Sequence, residues 1–138
     1  MSKAGFILDP RLAADTYPVA SLPLCDVLLM NDARYPWLIL VPRRAALVEI
    51  SDLAAAEQTL LWQEANHASA ALRAVVPFDK LNLGALGNIV RQLHVHLVGR
   101  RAGDAAWPGP VWGNGSAQAF DDAPRDALLA ALRRALAD

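Results

Sequence analysis

The chain has 138 residues, 54% of them hydrophobic, with 13 basic and 14 acidic side chains for a net charge of −1. That length suits a single domain spanning residues 1–138, and the balanced charge argues against a surface built to track a phosphate backbone. No run approaches the ~18 apolar residues of a membrane span, the N-terminus lacks a signal peptide's apolar block, and Cys25 is the lone cysteine, so the expectation is a cytoplasmic protein with neither nucleic acid nor membrane as partner.

Residues 25–31, CDVLLMN, and 36–42, PWLILVP, are apolar runs separated by DARY, which predicts a β-hairpin. Pro36 opens and Pro42 closes the second run, positions where a strand tolerates proline. Arg43 and Arg44 follow as solvated surface. Ser51 can cap a helix whose first turn carries Asp52. At about 100° per residue, Leu53, Leu60, Leu61, Ala68, Ala71, Leu72 and Val75 form one stripe, and Pro77 ends the helix. Glu64 falls inside the stripe and Trp62 roughly opposite it; each needs a partner that periodicity does not supply. Residues 80–86, KLNLGAL, and 89–99, IVRQLHVHLVG, read as two further strands joined through Gly87-Asn88. A loop rich in Gly and Pro follows, anchored by Trp107 and Trp112. Pro124 then starts a last helix with Leu128, Leu129, Leu132 and Leu136 on one face. Together these elements imply an α+β domain: a mainly antiparallel sheet of about five strands, a long central helix and a C-terminal helix.

On a strand, Gln92, His94 and His96 line one face while Leu93, Val95 and Leu97 line the other. Three polar side chains in a row suit burial poorly without partners. A half-solvated face accounts for them without any function. Two histidines at i and i+2 can also chelate zinc, with His67 or a carboxylate such as Asp104 completing the shell. The third reading is covalent: a neutral imidazole is a competent nucleophile toward phosphorus, and a second one can bind the same phosphate or serve the leaving group.

The stretch QLHVHLV, residues 92–98, resembles the signature of the histidine triad family, His-φ-His-φ-His-φ-φ with φ apolar, with Gln92 in the first histidine position. Asn82 and Gly87 resemble the family's upstream amide and glycine. The hairpin LLMNDARYPWLILVPRR resembles its nucleotide-binding hairpin, and AWPGPVWG resembles a bacterial branch carrying Gln-Leu-His-Val-His. The resemblance covers roughly residues 6–113. It implies a nucleotide hydrolase or transferase in which His94 attacks the α-phosphate, His96 assists the leaving group and Gln92 supports the nucleophile. Asn82 would touch phosphate or ribose, Asn31 or Asp32 the ribose hydroxyls, and Leu8, Leu29 and Leu40 the base. Gly87 and Asn88 form the turn where the substrate approaches the backbone. The implied partner is a purine nucleotide, such as a dinucleoside polyphosphate or a nucleoside phosphoramidate, with no metal or other cofactor. A homodimer is also implied, with Trp62 a candidate contact. Two residues depart from the family pattern: Gln92 cannot carry a charge, and Ile89 replaces a Ser or Thr that would offer its hydroxyl to phosphate. A purine nucleotide-binding protein with weak or lost turnover is the alternative, and a metal-dependent enzyme using both histidines lies further off.

Overall fold

In the computed structural model, which describes residues 5–138, the elements run α1 (Pro10–Asp15), β1 (Thr16–Ser21), β2 (Cys25–Met30), β3 (Trp37–Pro42), a 3-10 turn (Ile50–Asp52), α2 (Ala55–Val75), β4 (Lys80–Gly84), β5 (Val95–Arg100) and α3 (Asp122–Ala137). The strands form one five-stranded sheet in the order β1-β2-β3-β5-β4, every neighbouring pair antiparallel. The α+β architecture expected from the sequence is the one observed.

The apolar runs at β2 and β3 are continuous because these central strands are buried on both faces. Val27, Leu29, Leu38, Leu40, Val95 and Leu97 enter a core with the buried faces of α2 and α3. Their alternates Leu28, Trp37, Ile39, Val41 and Val98 enter a second core, with Leu12 of α1, Tyr35 and Val111. Strand parity thus divides the sheet between a helix-covered face and the face that carries the candidate site. Glu64, the acid inside the α2 stripe, finds its partner across the first core. Its carboxylate accepts the backbone N–H groups of Leu24 and Cys25, each at 2.8 Å, where the chain enters β2. Burial, with the Glu64 charge beside it, pushes the Cys25 thiol pKa up, so this cysteine stays protonated. Gly99 is required by close approach: a Cβ there would sit 2.5 Å from the Phe78 ring and 2.7 Å from Pro36.

Several expectations are corrected. Ser51 does not cap α2. It lies in the 3-10 turn, where the N–H of Leu53 bonds to the Ile50 carbonyl, and the long helix begins only at Ala55 behind Ala54. Residues 89–99 are not one strand after a two-residue turn: β4 ends at Gly84, residues 85–94 leave the ladder, and β5 starts at Val95. Arg43 is 8% exposed, with its guanidinium on Asp26 and on the carbonyls of Leu22 and Pro23, and Arg44 pairs with Glu57; neither is solvated surface. Helix α1 and strand β1 are further elements beyond those expected from the sequence.

Candidate active site

The loop 85–94 sets the position of His94. Its Nδ1 lies 2.7 Å from the backbone carbonyl oxygen of Gln92. A carbonyl only accepts, so Nδ1 carries a hydrogen, and in the neutral ring the lone pair belongs to Nε2. His96, the second residue of β5, stands opposite Ile39 of β3 and Gly84 of β4. There the Trp37 indole Nε1–H donates to His96 Nδ1 across 3.0 Å in a buried contact. An indole nitrogen is a donor only, so His96 has the opposite tautomer: its lone pair is on Nδ1 and its hydrogen on Nε2. The two imidazoles lie 4.9 Å apart at 69°. Trp37 and Trp112 also pack edge-on to His96, with centroids at 5.6 and 5.5 Å. Burial among these rings, and then the neighbouring His94, lower the His96 pKa to about 4. Geometry points the same way, because a proton on Nδ1 would face the Trp37 N–H.

Both histidines line a cavity of about 670 Å³, within the ordinary range for a small-ligand pocket. Its apolar wall comes from Leu12, Met30, Trp37, Ile39, Val111 and Trp112, and its rim includes Gly87, Asn88 and Ile89. The base contacts expected of Leu29 and Leu40 are corrected by parity. Both face the helix-covered core, whereas Met30 and Ile39, one residue away on the same strands, line the cavity. Leu8 packs against the second core without reaching the cavity wall. Trp112, read from the sequence as a loop anchor, forms part of the wall, while Trp107 is 40% exposed beside Arg100.

The polar candidates divide. Asp32 lines the cavity, and its carboxylate accepts from Arg34 Nη2 at 2.8 Å and from the Gln118 N–H at 3.3 Å. Burial alone would raise its pKa, but the hydrogen bonds from Arg34 and from these backbone N–H groups hold it below the usual carboxylate range. Asn31 lies outside the cavity wall, where its Oδ1 accepts the Phe120 N–H at 2.9 Å and ties the C-terminal segment to the hairpin. Asn82 is outside it too, with Oδ1 accepting from Arg100 Nη1 at 2.9 Å; Arg100, 1% exposed, forms a forked pair with Asp104. The Gln92 side chain turns away from His94 to the Ile7 carbonyl and the Asp9 N–H, so this residue holds His94 through its backbone. Of the residues weighed as metal ligands, His67 bonds to the Leu136 carbonyl and Asp104 to Arg100. Among the described residues no group of three or more His, Cys, Asp or Glu side chains is placed to hold a metal ion.

Fold and site together define a class: an α+β domain that presents two adjacent imidazoles, each held through its Nδ1, at a cavity of small-ligand size. The family model described as the HIT domain matches residues 12–103. The chain belongs to the HIT domain family, whose members are generally nucleotide hydrolases or transferases. It is similar in structure to a histidine triad protein from Bradyrhizobium japonicum, at 48% identity and TM-score 0.93 over 96% of this chain and 98% of that one. A histidine triad protein from Sinorhizobium meliloti is 46% identical, TM-score 0.93, with the same coverage. One from Marinobacter aquaeolei is 42% identical, TM-score 0.94, over 97% of this chain and 98% of that one. No curated protein matches the chain.

Proposed function

We propose that the protein is a purine nucleotide hydrolase or nucleotidyl transferase acting through a covalent intermediate on His94. The observation that carries this reading is the bond from His94 Nδ1–H to the Gln92 carbonyl at the cavity, which in the neutral ring reserves Nε2 for the lone pair a nucleophile needs. Nε2 attacks the α-phosphorus, an N–P bond forms, and the P–O or P–N bond to the leaving group breaks. The ring gains a positive charge in that step, and the Gln92 carbonyl stabilises it through the retained Nδ1–H. Water then attacks the phosphorus, the N–P bond breaks and returns the electron pair to His94 Nε2, and the nucleoside monophosphate leaves with a proton released to solvent; another acceptor in place of water completes a transfer.

The tautomer of His96 favours one substrate class over the other. A neutral imidazole with its hydrogen on Nε2 donates a hydrogen bond to a phosphoryl oxygen, but surrendering that hydrogen would leave an imidazolate. His96 is therefore a hydrogen-bond donor rather than a general acid. Dinucleoside polyphosphates, whose leaving group departs as a stable phosphate anion, suit such a site better than phosphoramidates, whose amine must be protonated as it leaves. Gln92 extends the motif as Gln-x-His-x-His. A homodimer fits the unpaired edge of β4 with its half-exposed Leu83, and the exposed Trp62 of α2. No helix among the described residues is long and apolar enough to cross a membrane, and a cytoplasmic location fits the buried, protonated Cys25.

The second reading, a nucleotide-binding protein with little turnover, draws on Ile89. It is 77% exposed at the cavity rim and brings no hydroxyl to a phosphate. Incubation with a diadenosine polyphosphate and with an adenosine phosphoramidate, with and without chelator, separates the readings. Chelator-insensitive turnover that His94→Ala abolishes, fastest on the polyphosphate, is expected. Nucleotide binding without turnover would favour the binding protein, and zinc-restored turnover after chelation would remove the covalent route.

A further inference from the structure

Gln92 uses both ends of its side-chain amide on the N-terminal segment. Its Nε2 donates to the Ile7 carbonyl at 2.8 Å, and its Oε1 accepts the Asp9 N–H at 2.8 Å. This bracket grips the chain where α1 begins. There the Asp9 side chain caps the helix by accepting the Arg11 N–H at 2.8 Å, and Pro10 supplies a preset φ. Leu12, 5% exposed in the second core, fixes the rotation of α1, so that Arg11, Leu12 and Asp15 become cavity wall.

Four charged side chains line that cavity: Arg11, Asp15, Asp32 and Arg34. Arg34 is committed, with its guanidinium on both Asp32 oxygens and on the Asn114 carbonyl. Asp15 shares a helix face with Arg11 but forms no ion pair with it, and the Arg11 guanidinium has no side-chain partner among the described residues. Ile89, across the rim, offers no polar group. A site built for a phosphate ester therefore has one uncommitted cation in its wall, on a helix held there by Gln92. The guanidinium fork matches phosphate oxygens in geometry and charge.

We propose that Gln92 is a positioning residue that docks α1 as a wall of the nucleotide site, and that Arg11 on this helix binds the anionic phosphate of the substrate. The inference rests on the nucleotide reading above. Its test uses AMP and adenosine as probes, titrated calorimetrically into the unmodified protein, Arg11→Ala, Arg11→Lys and Gln92→Leu. Circular dichroism confirms that each variant is folded. Arg11→Ala is expected to weaken AMP binding roughly tenfold or more while leaving adenosine within about twofold, and Arg11→Lys to keep most of the AMP affinity. Gln92→Leu is expected to show the same selective loss, because α1 is no longer held. If the unmodified protein binds AMP and Arg11→Ala binds it equally well, the inference is overturned and the nucleotide reading stands. Equal losses for AMP and adenosine in Arg11→Ala would also overturn it, by showing a role in packing. If the unmodified protein does not bind AMP, both fall together.

Discussion

Replacing Trp37 by Phe keeps an aromatic ring but removes one hydrogen-bond donor, and that donor faces a single atom, His96 Nδ1, at 3.0 Å. That nitrogen is then left buried without a partner, at a cost of about 1–3 kcal/mol. The smaller ring also loosens packing against Tyr35 and Trp112, whose centroids both lie 6.3 Å from Trp37, for about 1 kcal/mol more. A total near 3 kcal/mol corresponds to a fall in melting temperature of roughly 10 °C in a domain of this size. The more telling effect is on His96 itself. Without the opposing N–H the ring is free to exchange tautomers, and the loss of a hydrogen bond that favours the neutral ring raises its pKa above the value of about 4, with burial and His94 still lowering it. Ring 15N spectra recorded through a pH titration read both quantities. The unmodified protein is expected to show a protonated Nε2 and a bare Nδ1 that titrates only in acid. Trp37→Phe is expected to show mixed tautomers and a higher midpoint, with faster cleavage of the phosphoramidate relative to the polyphosphate. An unchanged tautomer and midpoint in the variant would refute the role given to Trp37.

The same histidine makes stability depend on pH. The folded pKa of about 4 lies below the unfolded value near 6.5, so between them the unfolded chain binds more protons. Stability contributed at neutral pH should decline as the pH falls through that window, by about 3 kcal/mol when complete, and urea titrations of the unmodified protein and of His96→Gln should differ in that slope. Gly99→Ala drives a methyl into the Phe78 ring and Pro36, and a loss of about 1–3 kcal/mol is expected in denaturant melts; an unshifted midpoint would contradict the close approach. Gln92→Ala should raise KM for nucleotide with a much smaller change in kcat. Its backbone carbonyl still holds His94 while the bracket on Ile7 and Asp9 is lost, so an abolished kcat with unchanged KM would mean that the amide acts at the nucleophile.

What could be read from the sequence was what local pattern encodes. The hairpin at β2 and β3, the α2 stripe and the apolar face of α3 are periodic over enough residues to stand out, and the histidine pair lies within a specific motif. β1 was missed because TYPVAS is short and carries Pro18 beside a register shift, a combination tolerated only at a sheet edge. α1 had left a usable signal in Asp9-Pro10, a cap followed by an N-terminal proline. The misreading of 89–99 has a different cause. The backbone of this loop is held by distant groups, with Leu93 N–H on the Leu47 carbonyl and the Gln92 side chain on residues 7 and 9. No local periodicity records such partners. For the same reason parity separated Met30 from Leu29 and Ile39 from Leu40, but only the placement of the helices shows which set faces the cavity. The Trp37–His96 bond joins residues 59 apart and could not be inferred from either segment alone.

The most direct measurement of covalent catalysis is mass spectrometry of the intact protein, acid-sensitive linkages preserved, after rapid mixing with diadenosine polyphosphate. The expected result is a transient adenylyl adduct that maps to the peptide containing His94 and is absent from His94→Ala. Turnover with no adduct at any time, or turnover that persists in His94→Ala, would contradict a nucleophilic His94.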